Sequence, residues 1–490
     1  MRQLLNYING ELTPAASGAT LDVIEPATGQ PYATAPDSSA DDVHAAVDAA
    51  RRAFPAWSAT PAPERSALML KLADAIEAER DELAALESRD TGKPITLART
   101  IDIPRAAANL RFFATAILHD SSEAHITDEN TLNYTRRQPR GVAGLISPWN
   151  LPLYLFTWKI APALATGNTC VGKPSEVTPA TAARLGELAA NVGFPPGVLN
   201  IVHGRGATVG AAIVEHPDVP TISFTGGTAT GRAIASTAGP MFKRLSLELG
   251  GKNPNIIFAD ADFDQAVSTA VRAAFTNQGQ ICLCGSRIVV ESSITDRFIN
   301  AFTEQTKALT VGDPELNDTR FGAVVSAEHL SKIEAAVQQA RDDGAVVHCG
   351  GKRAASPNER CANGCFYEPT VLSGLSRTCA SQQEEIFGPV VTIDTFDSEQ
   401  DAIEAANSTR YGLASMLFTS NLDRAHRVAN AIDAGIVWVN CWLVRDLRTP
   451  FGGMKQSGVG REGGRDALRF FTEAKNICIQ TAADSTPPRT

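Results

Sequence analysis

The chain has 490 residues, 43% apolar and 20% charged, without a low-complexity tract, which fits a globular protein of two or three domains. A net charge of −10 argues against nucleic acid or an anionic membrane as partner. The start, Met1-Arg2-Gln3-Leu4-Leu5-Asn6-Tyr7, turns polar too soon for a secretory leader. No apolar run reaches the roughly 20 residues of a spanning helix, so a cytoplasmic protein is expected.

The nine cysteines, an odd number, do not read as a disulfide framework. Cys349, Cys361, Cys365 and Cys379 lie near His348 but lack paired C-x₂-C spacing. Reduced thiols are therefore expected rather than zinc ligands.

In chain order, Asn9-Gly10 between short apolar stretches predicts an opening hairpin. From Ala40 the texture is helical. Leu68, Leu72 and Ile76 recur every fourth residue, opposite Lys71, Asp74 and Glu77. Thr91-Gly92-Lys93-Pro94 stops that block, and a further helix starting near Pro104 carries Arg105, Leu110, Phe112 and Phe113.

Beyond Gly141, strand candidates (142–146, 169–171, 198–202, 221–224) alternate with helical stretches, which predicts parallel βαβ units and a Rossmann-like sheet. A second α/β stretch runs from Asn255 to about Phe418.

Glycine loops need sorting. Gly458-Val459-Gly460-Arg461-Glu462-Gly463 fits G-x-G-x-x-G by letter, yet it follows a loop rather than a buried strand and reads as structural. Phe224-Thr225-Gly226-Gly227-Thr228 joins a strand to a helix, so its backbone N–H groups can approach a pyrophosphate. Lys173-Pro174-Ser175-Glu176 follows another strand; by itself it reads equally well as a solvated ion pair.

Three further segments carry chemistry. Ser147-Pro148-Trp149-Asn150-Leu151-Pro152 follows a strand, and the Asn150 amide is either an oxyanion donor or a turn former. Asn277-Gln278-Gly279-Gln280-Ile281-Cys282 sets a thiol behind a glycine-bearing turn, with Cys284 on the same face of an extended chain; periodicity does not choose between the two. Glu248 sits beside Gly250-Gly251, upstream of both. A thiol and a separate acid suggest covalent catalysis with a general base. Such a thiol needs local N–H groups or positive charge to ionise near neutral pH.

These motifs, together with Glu385-Ile386-Phe387-Gly388-Pro389, stand in the order of the aldehyde dehydrogenase superfamily, which the whole chain resembles. The resemblance implies that Cys282 is the nucleophile, Asn150 the oxyanion donor and Glu248 the base for the deacylating water. It also implies an NAD site with Trp149, Lys173, Glu176, Gly226, Gly227, Glu385 and Phe387, and no metal. A carboxylate at Glu176 disfavours a 2′-phosphate, hence NAD over NADP.

Arg105 and Arg445 match positions lining the family's substrate tunnel. With Val444-Arg445-Asp446-Leu447-Arg448 and Gln280-Ile281-Cys282-Leu283-Cys284, the chain looks like the 2-hydroxymuconic and 2-aminomuconic semialdehyde dehydrogenases. An anionic aldehyde from aromatic ring cleavage is therefore expected as substrate. The alternatives are a structural role for either arginine (Arg445 paired with Asp446, for instance), another small aldehyde such as a betaine aldehyde, or a thioester-forming esterase.

The implied fold is α/β: a Rossmann-like cofactor domain (1–118 and 140–250) and an α/β catalytic domain (251–455). A small β oligomerisation element (119–139 and 470–490) completes it, with Leu132–Arg137 and Asn476–Ile479 as strands, in a homodimer or homotetramer.

Overall fold

The computed structural model describes residues 1–481; residues 482–490 of the expected oligomerisation element lie outside the described residues. The Asn9-Gly10 signal holds. Both residues have positive φ (54° and 84°) and join the antiparallel strands Asn6–Ile8 and Glu11–Thr13.

That hairpin is one edge of an eight-stranded sheet. The strands Leu199–Ile201, Thr169–Lys173, Val142–Ile146, Thr221–Thr225 and Arg244–Glu248 follow in parallel, and Gly458–Val459 closes the far edge antiparallel. The literal match to G-x-G-x-x-G is thus an edge strand and a turn.

Alternation along the central strands covers both faces. Ala143 and Leu145 point to the helices Ala62–Ala78, Ile103–Ala116 and Pro152–Ala165, where Leu72, Ile76, Leu110 and Phe156 are fully buried. Val142 and Ile146 point to the other face, toward Val43, Val47, Ile213 and Ile234. Leu68 packs at the margin of the first cluster, while Lys71 and Asp74 face solvent as the periodicity predicts.

A second sheet of seven strands runs Val346–Cys349, Thr370–Ser373, Val390–Phe396, Arg287–Glu291, Pro254–Ile257, Ala414–Phe418 and Ile436–Val439, parallel except at its first strand. It extends beyond the expected end near Phe418. The run Ile436-Val437-Trp438-Val439 is too short for periodicity to reveal, and it pairs only because Ala414–Phe418 offers it an edge. A separate antiparallel sheet of Ala124–Asp128, Thr131–Pro139 and Thr472–Gln480 pairs its last strand with residues 333 or more positions earlier.

Helix Arg80–Thr91 ends at Gly92 in the left-handed conformation (φ 76°). There the two halves touch: Ala323 N donates to Gly92 O at 2.9 Å, and a Cβ on Gly92 would lie 2.7 Å from Ala323 O. Gly92→Ala is therefore expected to cost about 1–3 kcal/mol. A lowered urea midpoint would register it; an unchanged midpoint would show that this junction yields.

Candidate active site

The first sheet delivers the carboxyl ends of its parallel strands to one crevice. Val142–Ile146 runs into Ser147-Pro148-Trp149-Asn150, Thr169–Lys173 ends on Lys173, Thr221–Thr225 runs into Gly226-Gly227, and Arg244–Glu248 ends on Glu248. Register makes them neighbours: Phe224 lies opposite Ile146, Thr225 opposite Glu248, and Ile146 opposite Lys173. From Val142–Ile146 the chain first builds outward on one side and then returns to the other, so the crevice lies at a topological switch point. The second sheet faces it with its opposite end: Gly250-Gly251, Cys282 and Glu385 all precede strands of that sheet.

The cysteine loop is wound against its preference. Asn277, Gln278 and Gly279 are consecutively left-handed (φ 52°, 55° and 70°). Gly279 is obligatory because a Cβ there would lie 2.2 Å from Gly388 O. The Gln280 carbonyl accepts from Asn150 Nδ2 at 2.9 Å, and its side-chain oxygen accepts from Val325 N at 3.0 Å.

The structure separates the two thiols. Cys282 is half-buried and lines the cavities on both sides of it, whereas Cys284 is buried in the core of the second sheet. Asn253 Nδ2 holds the carbonyls of both, at 2.7 and 2.9 Å. Burial pushes the Cys282 thiol well above its ordinary value; Glu385, Glu248 and Cys284 add to the rise and Arg445 opposes it. The positive charge of Arg445 is thus outweighed by burial and the neighbouring acids.

On one side of Cys282 lies a cavity of about 430 Å³ that continues into a groove of about 630 Å³. Trp149, Gly226 and Gly227 line both. In the groove Lys173 Nζ meets Glu176 Oε2 at 2.5 Å, and Glu176 Oε1 accepts from Gly206 N at 3.0 Å. Burial raises the Glu176 carboxyl, but Lys173 and the backbone N–H groups of Gly206 and Glu176 together outweigh it and the net shift is downward.

The helix Thr228–Ala238 opens at Gly227 with no side-chain cap, which leaves its first N–H groups free toward the groove. Nearer Cys282, Glu385 Oε1 accepts from Gly251 N at 3.1 Å. A Cβ on Gly250 would lie 2.0 Å from that carboxylate, so the glycine is what lets it lie there. Burial pushes Glu385 up to about 7. Phe387, itself left-handed (φ 56°), packs edge-on to Trp149 at 5.2 Å, and its carbonyl is bonded to His329 Nε2 at 2.7 Å.

On the other side a cavity of about 380 Å³ reaches from Cys282 and Glu248 to Arg105 and Arg445. Arg445 donates to Tyr154 OH at 3.1 Å and lies 3.9 Å over the Phe451 ring. Arg105 lies 5.6 Å over the Tyr154 ring, and its Nε and one terminal nitrogen are buried without a hydrogen-bond partner among the described residues. Asp446 pairs with Arg448 at 2.6 Å, not with Arg445. Among the described residues, neither Arg105 nor Arg445 has an acidic partner within 4.0 Å.

The sequence reading missed several members. Glu248 is not a lone acid: burial raises its carboxyl far above the usual range, and Glu462 pushes it further while Lys159 pulls the other way. Both its oxygens are buried without hydrogen-bond partners among the described residues. Lys159 Nζ meets Glu462 Oε1 at 2.8 Å and Ser223 Oγ at 3.0 Å. Lys159 was visible as a single charge in the apolar helix Pro152–Ala165; Glu462 was hidden inside the misleading glycine motif. Tyr154 carried no sequence signal.

The sequence model described as the aldehyde dehydrogenase family matches residues 13–477. A 2-aminomuconic semialdehyde dehydrogenase of Danio rerio is 52% identical, over 97% of this chain and 98% of that protein. A 2-hydroxymuconic semialdehyde dehydrogenase of Pseudomonas sp. (strain CF600) is 47% identical, over 98% of this chain and 100% of that protein. Among solved structures, betaine aldehyde dehydrogenase from Staphylococcus aureus in complex with NAD+ superposes with a TM-score of 0.95 at 40% identity. That match covers 98% of this chain and 95% of the other.

The raised thiol has a direct consequence for reactivity. Iodoacetamide labelling of Cys282 in the ligand-free protein is expected to accelerate about tenfold per pH unit from roughly pH 7 to 9, because only the thiolate reacts. Mass spectrometry resolves Cys282 from Cys284; a rate that levels off below about pH 8 would show a stabilised thiolate instead.

Proposed function

The chain belongs to the aldehyde dehydrogenase family, and we propose that it oxidises a small aldehyde bearing a distal carboxylate to the corresponding acid, with NAD as hydride acceptor. The observation that carries this reading is the pair of half-buried arginines without acidic partners, in the same cavity as Cys282. Two guanidiniums so placed are costly until an anion meets them, and a carboxylate fits their geometry. A muconic semialdehyde, as in the names of the relatives, bears a carboxylate at one end and an aldehyde at the other. A cationic aldehyde such as betaine aldehyde would be repelled by the same pair.

The groove beyond Trp149 fits a dinucleotide. Uncapped helix N–H groups at Gly227 suit a pyrophosphate, and Glu176 beside Lys173 suits ribose hydroxyls while disfavouring a 2′-phosphate. Nothing lies within 4 Å of where a Cβ on Gly227 would project, so that side of the loop is open. Glu385 and Phe387 would hold the nicotinamide end. NAD, when bound there, takes up the hydride.

The protein groups do the rest. Cys282 Sγ bonds to the aldehyde carbon, and the oxygen is held by the Asn150 amide and the Cys282 backbone N–H. Loss of hydride leaves a thioester on Cys282. Glu248 takes a proton from water, which attacks the thioester and frees the acid and the thiol. No metal enters these steps.

The assignment extends to the domains. Residues 1–118 and 140–250 form the cofactor part, 251–455 the catalytic part, and 119–139 with 470–490 an oligomerisation element. The last is supported by a free-standing sheet with Ile126 82% exposed at its outer strand. A second copy of the chain would cover it. No described helix is long and apolar enough to cross a membrane.

Two measurements check the mechanism. Glu248→Gln should yield a burst of about one NADH per site and then slow turnover, since only deacylation needs the base; absence of the burst with NAD still bound would move Glu248 to an earlier step. Arg445→Ala should lose about 1.5–3 kcal/mol, roughly 10- to 150-fold in kcat/KM, on an aldehyde with a distal carboxylate. An uncharged aldehyde of equal length should hardly respond, and equal loss on both would retire the anionic substrate.

A further inference from the structure

Beneath the site lies a buried charge cluster that the chemistry above does not use. Lys93 follows Gly92, and its side chain is wholly buried. Its ammonium contacts the Asp102 carboxylate, stands 3.5 Å from Glu87 Oε1, and donates to the backbone carbonyl of Asn150 at 3.0 Å. Glu87, equally buried, accepts from Leu153 N at 3.3 Å, three residues further on. Lys93 and Glu87 thus grip the segment that carries the Asn150 amide.

An ion pair alone would not require the bond to Asn150 O. That oxygen accepts a second donor, Asn277 Nδ2 at 3.2 Å, from the cysteine loop. Two donors on one carbonyl fix the plane of its peptide, and with it the direction in which the side chain leaves the backbone. The side-chain amide then reaches Gln280 O at 2.9 Å, two residues before Cys282. Released from Lys93, the peptide would keep only the weaker neutral donor.

We infer that Lys93 is a positioning residue for the acylation step: its bond to the Asn150 carbonyl aims the oxyanion amide at the carbon attacked by Cys282. The inference rests on the reading of Asn150 as oxyanion donor. Asp102 and Glu87 hold the ammonium in place. Asp102 also closes the π-helical turn Ala98–Asp102 and lines the arginine-bearing cavity, so the cluster braces that wall as well.

The test is a double-mutant cycle read with 4-nitrophenyl acetate, whose nitrophenolate release reports acylation of Cys282 without NAD. Asn150→Ala should slow acylation by about 100- to 1,000-fold, the effect of losing an oxyanion donor, and Lys93→Met by about 10- to 100-fold, within that effect. In the Asn150→Ala background, Lys93→Met should cost less than about threefold, because the group it positions is gone. NAD affinity, followed by tryptophan quenching, should stay within about twofold in Lys93→Met, whose side chain lines neither the cavity nor the groove on the nucleotide side.

Multiplying losses, or unimpaired acylation in Lys93→Met, would overturn the inference. Unimpaired acylation in Asn150→Ala would instead remove the oxyanion reading beneath it. Lys93→Met leaves two buried acids without their cation, so Lys93→Met/Asp102→Asn serves in the same cycle where the single variant does not fold.

Discussion

The hydrogen bond from the Asn150 side chain to the Gln280 carbonyl holds the two halves of the site in register. One partner comes off the carboxyl end of a strand in the first sheet, the other off the loop that precedes a strand in the second. Neither sheet alone contains a site. Glu248, Lys173 and the Gly226-Gly227 loop belong to the first; Cys282, Glu385 and Phe387 belong to the second. Leaving such a buried amide unpaired would cost about 1–3 kcal/mol, so the contact penalises any relative shift of the halves.

The second half reaches this contact at some expense in backbone energy. Three left-handed residues in succession, two of them not glycine, persist only where surroundings over-determine them. Here the surroundings are identifiable: Gly279 lies flat against Gly388, Gln280 is tied to Val325, and Asn277 reaches across to Asn150. Phe387, left-handed as well, is held by His329. Rigid aim is worth this strain where reacting atoms must meet within a few tenths of an ångström.

What the sequence disclosed follows from range. Periodicity and turn chemistry are local, so the Asn9-Gly10 hairpin, the helix bearing Leu72 and Ile76, the strand–helix alternation and the Gly92 stop were all legible. The strand Ile436–Val439 was not, since its pairing depends on a neighbour. Resemblance brought Cys282, rather than Cys284, forward together with Asn150 and Glu248; the physical difference between the two thiols is geometric, because side chains two residues apart look alike by period yet differ in burial. Lys93 read only as part of a helix stop, and Glu462 only as a letter between glycines; each acts through a residue 57 or more positions away. The freedom of Arg445 from Asp446 is likewise a fact of three dimensions, decided by Arg448 taking the acid.

On the proposed mechanism, the charges of the site also explain how one buried cavity serves Cys282 as nucleophile and Glu248 as base in turn. Burial favours the neutral form of both Cys282 and Glu248, and the Glu248 charge raises the thiol further. Such coupling is reciprocal: an ionised sulfur must raise Glu248 by the same free energy. Ionising both at once would place two negative charges in one low-dielectric space. Acylation removes that conflict. Once Sγ is bonded to the acyl carbon it has no charge left to contribute, and Glu248 becomes easier to ionise at the step where a base is needed. Lys159, held between Glu462 and Ser223, sets a fixed positive charge that favours the ionised carboxylate at that moment. The proposed order of steps agrees with these charges: the sulfur is charged first and the carboxylate second, each when the other is neutral.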